Sequence, residues 1–348
     1  MRAEKIISLG KIESNYEKIK EKVGGREVIC VVKANAYGHG AAEVAKRLKK
    51  ASRFAVATVD EALELRYGGI KSNIFMMGGA DYEDTAKCID EGIEFALFDE
   101  GMANFANSYA ARHEKVAKAH IAVNTGMNRI GVKTGEVKGF TQIVKSCKNI
   151  EVVGVFTHFY ESVFPVVSIQ TDRFEKAKSE CEVSLKQPVY HAASTGSIGY
   201  EFSLYGGVRT GLGLYGYGLE EVEPAMDVKS RVCAVNLLSV GESVGYNAKF
   251  VAKKPTHIAV VSMGYADGVP RSFNGFVLIG GKRRKVVGNI CMDCCFAVVD
   301  DGVRTGDEAV FIGEQGGDKL TAEDFAKGAH TIVYEALTGF KRIKTRYC

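Results

Sequence analysis

No apolar run in this 348-residue chain approaches the roughly 20 residues that a membrane-spanning helix needs. The N-terminus, Met1-Arg2-Ala3-Glu4-Lys5, lacks the apolar segment of a signal peptide. Charge of one sign is scarce as well. The formal net charge is +4, and Lys and Arg are dispersed apart from short clusters at 46–50 and 282–284. With neither a basic face nor a recognisable nucleic-acid module, these clusters read as solvated surface, and no nucleic-acid partner is expected. A Pro/Ser-rich linker is missing too, so the parts of the chain are expected to pack together. The nine cysteines are odd in number and scattered, which disfavours a disulfide framework and suits reduced thiols in the cytoplasm. Cys291-Met-Asp-Cys294 has the spacing of a redox or zinc half-site, but no second such pair accompanies it. It lies in a strand-like run beside Cys295, so buried apolar thiols are expected there and no metal.

The composition, 46% hydrophobic, suffices for one large domain or two ordinary ones. The first two thirds alternate β-rich runs with helical patterns. Val28–Lys33, Arg53–Thr58, Asn73–Met77, Glu94–Phe98, His120–Asn124, Val152–Thr157, Pro188–His191 and a run ending near Arg209 read as strands. Ile12, Tyr16, Ile19 and Val23 recur at helical spacing, and Asp60–Arg66 and Asp172–Leu185 read as helices. Eight such units suit a (β/α)8 barrel of the TIM type over residues 8–230. Beyond Arg231, short strand candidates at 257–261, 275–279, 286–290, 295–299 and 308–312 are separated by glycine turns. Helices are scarce there until Thr321-Ala-Glu-Asp324, which has capping-box spacing. Residues 231–348 therefore form a mostly β domain, with residues 1–7 free to pack with it.

In such a barrel, functional groups sit where strands end and βα loops begin. Lys33 ends the first strand, Asn124 to Arg129 follow the fifth, and Thr157-His158 close the sixth. His191 and Ser194-Thr195 follow the seventh, and Arg209-Thr-Gly211-Leu212 the eighth. A mouth rich in cations and small Gly/Thr turns suits an anionic, phosphate-bearing ligand. A lysine there, desolvated and flanked by cations, has a lowered pKa and an amine available for Schiff-base chemistry. Taken alone, Lys33 is better read as a stem packed on the rim with its head in water. His158 and His191 alone are better read as satisfied core histidines.

The run Val32-Lys-Ala-Asn-Ala-Tyr-Gly-His-Gly40 resembles the cofactor-lysine signature of alanine racemases. Six further stretches resemble that family in the same order: Asn124–Gly131, Phe156–Phe159, Val208–Gly216, Gly264–Gly268, Gly288–Asp293 and Thr331–Glu335. The resemblance implies pyridoxal 5'-phosphate as cofactor, a small amino acid as substrate, and a homodimer whose active sites are shared between subunits. It implies that Lys33 holds the cofactor and acts on one face of the substrate Cα, with Tyr265 of the partner subunit acting on the other. Removing a proton from one face and delivering one to the other is what racemisation requires. His158 and Arg209 match the hydrogen-bonded positions behind that tyrosine, and Arg209 also the partner of the ring nitrogen. Arg129 matches the position beside the cofactor's phenolic oxygen and the substrate. Tyr37, Thr195, Gly211, Leu212 and Tyr334 match phosphate contacts, Met292 borders the substrate, and Asp293 supports that side of the pocket.

The chain departs from the pattern in places. The lysine that many members carry two residues before Asp-Thr-Gly-Met is Ala122 here, and that Asp is Asn124. An anion such as chloride, or a water network, is expected to take over as partner of Arg129. Ser194-Thr195 replaces an Asn-Ser pair, and Cys294-Cys295 follow Met292-Asp293. L-alanine is the favoured substrate. The alternatives are a serine or broader-specificity racemase, a decarboxylase on the same barrel, and a cofactor-binding protein without catalysis.

Overall fold

The computed structural model describes residues 2–182, 185 and 187–348. Its fold has a parallel eight-stranded barrel and a mostly β second unit. The barrel strands are β1 (Glu27–Val31), β2 (Arg53–Val56), β3 (Asn73–Met76), β4 (Glu94–Leu97), β5 (Ala117–Asn124), β6 (Ile150–Thr157), β7 (Val189–His191) and β8 (Gly207–Thr210). Each pairs in parallel with its neighbours; β8 returns to β1, and the sheet order makes a closed ring. Every residue of β2 and β4 is buried. Burial on both faces is what parallel strands wrapped by helices require, and it explains their near-continuous apolar runs. The helix Leu9–Lys22 buries Ile12, Tyr16 and Ile19. Thr58 caps Val59–Tyr67 by accepting the Glu61 N–H. The helix expected over 172–185 begins earlier, at Val166, and runs to Glu182; positions 183 and 184 lie outside the described residues.

The residues through Lys11, Tyr37–His39 and Pro224–Cys348 form one compact unit, and Ile12–Ala36 with Gly40–Glu223 form the other. The first of these is built on β9 (Met226–Leu238), β10 (Thr256–Val261), β11 (Phe276–Ile279), β12 (Lys282–Val287), β13 (Cys295–Val299) and β14 (Glu308–Gln315). Strand β9 pairs with both β10 and β14, so these six strands form a second, antiparallel ring. Strand β9 starts at Met226, ahead of the change of pattern read at Arg231. Met226, Val228, Ser230 and Val232 alternate inward there, and the polar residues between them mask the strand. Ala3–Ile7 pairs antiparallel with β9, and Lys344–Tyr347 runs parallel beside it.

The thiols require a correction. Cys295 is buried in β13, but Cys291 and Cys294 are only partly buried and Cys233 is exposed. The strand begins at Cys295, so Cys291-Met-Asp-Cys294 is the turn that precedes it. Among the described residues no group of three or more His, Cys, Asp or Glu is placed to hold a metal ion. No described helix is long and apolar enough to cross a membrane.

Candidate active site

Strand β1 stops at Val31, two residues short of Lys33. From Ala34 to Tyr37 the backbone is left-handed, with φ of 52°, 53°, 54° and 52°. Such a conformation costs roughly 1–2 kcal/mol for each L-residue. Asn tolerates it best, and the surrounding hydrogen bonds offset the rest. The Ala34 N–H donates to Glu61 Oε1 at 2.6 Å, Ala36 N–H to Val32 O at 2.7 Å, and Ala41 N–H to Asn35 Oδ1 at 2.8 Å. The turn halts the strand and leaves Lys33 partly buried at the barrel mouth. Burial lowers the Lys33 pKa, and so do the charges of Arg129 and Arg209, against an opposing pull from Glu61.

The other barrel residues singled out gather at the same strand ends. Burial and the charges of Arg209, Arg129 and Lys33 push His158 down to about 3, so it is neutral near pH 7. Arg209 is 3% exposed. Its Nη1 donates to His191 Nδ1 at 2.7 Å and His191 O at 2.9 Å, and its Nη2 to Thr157 O at 2.6 Å and Ala192 O at 3.0 Å. Burial and Arg129 lower its pKa to about 9, which still leaves it charged at neutral pH. The Thr195 hydroxyl meets that of Thr210 at 3.1 Å and accepts the Gly213 N–H at 3.2 Å. Gly211 and Leu212 open the single turn after β8. Arg129 forms no salt bridge with a carboxylate among the described residues. It lines a cavity of about 10 Å³ with Ala122, Met127, Phe156 and His158.

In the second unit Tyr265 opens a single turn, Tyr265–Asp267, and is 43% exposed. Its N–H donates to Cys291 O at 2.9 Å, and that of Ala266 to Met292 O at 3.0 Å. Gly264 makes this contact sterically feasible: a Cβ there would lie 2.3 Å from Cys291 O and 2.4 Å from Met292 O. Asp267, fully buried, accepts the Gly264 N–H at 3.0 Å and pairs with Arg2. Asp293 bonds Arg342 at 2.7 Å and Arg2 at 3.3 Å, while Met292 beside it is 54% exposed. Tyr37 and Tyr334 approach with ring centroids 5.8 Å apart.

A family model described as the alanine racemase N-terminal domain matches residues 7–218, and one described as the C-terminal domain matches 225–347. The chain belongs to the alanine racemase family. The alanine racemase of Cutibacterium acnes is 37% identical, with 98% of this chain and 96% of the relative covered. The solved alanine racemase of Clostridium difficile superposes with a TM-score of 0.93 at 30% identity, covering 100% of this chain and 96% of that one. The alanine racemase of Bartonella henselae, solved with covalently bound pyridoxal phosphate, gives 0.91 at 26% identity over 100% of both chains.

In this alanine racemase family member the barrel interior also holds polar groups that motif matching passes over. His191 Nε2 lies 2.9 Å from His120 Nδ1, and His120 Nε2 lies 2.9 Å from Glu94 Oε2. Glu94 receives Arg53 Nε at 2.7 Å, and Arg53 Nη1 reaches Glu27 Oε2 at 2.5 Å. His120 and His191 are fully buried, with Glu94 at 2% and Arg53 at 6% exposure. Burial lowers both histidine pKa values, in His120 against the pull of Glu94. The signal in the sequence is faint but legible: β2 and β4 each open an otherwise apolar run on a charged residue, Arg53 and Glu94.

Proposed function

We propose that this chain interconverts L- and D-alanine with pyridoxal 5'-phosphate, as a homodimer. The observation that carries the reading is Lys33, partly buried at the barrel mouth, with its pKa lowered by burial and by the charges of Arg129 and Arg209. An amine, two guanidiniums and a neutral imidazole at one set of strand ends fit a phosphate-bearing aldehyde cofactor chemically. The Bartonella henselae relative, solved with that cofactor covalently bound, supports the assignment.

Lys33 would carry the cofactor, with Arg129, His158 and Arg209 around its ring. Tyr37, Thr195, Gly211, Leu212 and Tyr334 would hold the phosphate. When bound, the cofactor supplies an electron-withdrawing ring that loosens the substrate Cα–H bond. Lys33 Nζ, free to be neutral because burial lowers its pKa, takes or returns a proton on one face of Cα. The Tyr265 hydroxyl of the partner subunit does so on the other. Arg209, charged at neutral pH, would disfavour a proton on the ring nitrogen, tempering electron withdrawal and favouring return of the proton to Cα. Met292 borders the substrate, whose carboxylate Arg129 meets, and Asp293 steadies that turn through Arg2 and Arg342. The small cavity beside Arg129, where other members carry a lysine, is of a size for about one water.

Incubating the holoenzyme with single L-amino acids in deuterated water tests the reading. Loss of L-alanine with α-deuterium in both enantiomers is expected. Release of CO2, or no exchange with any amino acid, overturns it. Lys33→Ala should abolish the visible absorbance of the bound cofactor. Tyr265→Ala should keep that absorbance and slow α-proton exchange from one alanine enantiomer more than from the other; unchanged exchange from both excludes Tyr265 as the second base.

A further inference from the structure

A guanidinium has donors and no acceptor, so its contact with His191 fixes every proton behind it. His191 Nδ1, 2.7 Å from Arg209 Nη1, must be the acceptor. The His191 proton is therefore on Nε2, which points at His120 Nδ1 at 2.9 Å. His120 Nδ1 accepts in turn, so the His120 proton is on Nε2 and is donated to Glu94 Oε2 at 2.9 Å. Glu94, acceptor only when ionised, ends the chain and is held by Arg53. All donors run one way, from Arg209 to Glu94. Both histidines must be neutral for this, and burial makes them so. Turning either imidazole over would put carbon where these hydrogen bonds need nitrogen, and neighbouring rings hold both planes. His120 stacks on Phe75 with centroids 4.0 Å apart, and His191 lies parallel to Phe156 at 5.3 Å.

We propose that Glu94 is a positioning residue for Arg209, acting through the tautomers of His120 and His191. Without an acceptor at Glu94, His120 Nε2–H is a buried unsatisfied donor. Moving its proton to Nδ1 satisfies nothing unless His191 follows, and that turns His191 Nδ1–H against Arg209 Nη1–H. Either way the group that grips Arg209 inside the barrel is weakened from two imidazoles away. The role of Arg209 toward the cofactor rests on the racemase reading; the proton order does not.

The test uses 15N-histidine-labelled protein, with His120 and His191 assigned by single His→Asn variants, and reads the protonation of each ring nitrogen by NMR. Wild type should show both on Nε2 throughout pH 6–8. Glu94→Leu risks stranding the Arg53 charge, so the readout is made in Arg53→Met/Glu94→Leu, which removes both buried charges together. In that variant His191 should lose its single Nε2–H signature, while Glu94→Gln, whose amide oxygen can still accept, should keep it. Holoenzyme kcat should fall roughly 10- to 100-fold in the double variant, as for other outer partners that orient an imidazole, with KM little changed and Glu94→Gln close to wild type. Unchanged tautomers in the double variant would overturn the proposal, because Arg209 alone would then set them. Altered tautomers in a protein that racemises nothing would leave it standing and remove the racemase reading instead.

Discussion

The barrel mouth and the Tyr265 loop fix a reactive side chain by opposite physical means. At the mouth, L-residues 34–37 stand in a left-handed turn, and carboxylate and amide hydrogen bonds hold them there. Arg209 is likewise held by hydrogen bonds inside a dry interior. Around Tyr265 the positions are set by contact: Gly264 packs against two carbonyl oxygens with no space for a methyl group. One region depends on charge and on where protons sit; the other depends first on absent atoms at Gly264, with the Asp267–Arg2 pair beside them. The first should therefore respond to pH and to isosteric changes of charge. The second should respond to volume at Gly264, and to charge only through the Asp267–Arg2 pair.

Breaking the charged side has the largest expected effect. Arg53→Met leaves Glu94 and Glu27 without their shared cation, and Glu94 is buried. Removing one partner of a buried pair costs about 3–5 kcal/mol. Urea unfolding should show a loss of that size, and Arg53→Met/Glu94→Leu should recover most of it. A double variant as unstable as the single one would show that the pair is not the source of the loss.

The same side gives a pH dependence. Burial works against ionisation of Glu94, but the His120 hydrogen bond and Arg53 outweigh it and hold its pKa below the ordinary 4.5. A carboxylate with a depressed folded pKa stabilises fully above its unfolded value, and that stabilisation fades as pH falls towards the folded one. Wild type should thus lose stability relative to Glu94→Gln as pH falls below 4.5. Parallel stability curves for the two proteins would refute a depressed Glu94.

This contrast also explains what the sequence discloses. Barrel strands announce themselves because burial on both faces demands apolar runs, and strand-end residues such as Lys33, His158 and Arg209 follow from the barrel rule. Strand β9 stays hidden because only one face is buried, and its polar half breaks the run. The left-handed turn is unreadable from Ala34 and Ala36, residues whose own preference is the opposite. The buried chain through His120 and Glu94 is a matter of which strands become neighbours, which spacing along the chain does not encode. Thr321 is the reverse case: its cap on the helix Ala322–Ala329 is local, and the hydroxyl accepts the Asp324 N–H as its spacing foretold.

On the steric side, Gly264→Ala should cost about 1–3 kcal/mol through overpacking against the Cys291 and Met292 carbonyls. Because Tyr265 follows directly, racemisation should fall while cofactor absorbance stays. Its stability loss should be the same at pH 5 and pH 8, as a packing effect requires. A loss that changed with pH would show that the substitution also disturbs the Asp267–Arg2 pair.

The smallest effect isolates the strain of the lysine turn. Asn35→Ala removes the Oδ1 acceptor of the Ala41 N–H and keeps a Cβ at φ 53°. Asn35→Gly removes the same acceptor but has no penalty for positive φ. The lost hydrogen bond is common to both, so the difference between them measures the left-handed conformation at one residue, about 1 kcal/mol in favour of glycine. Thermal unfolding of the two variants gives that difference directly. Equal stabilities would mean that the turn relaxes once its amide is gone, and that hydrogen bonding alone sets the backbone beneath Lys33.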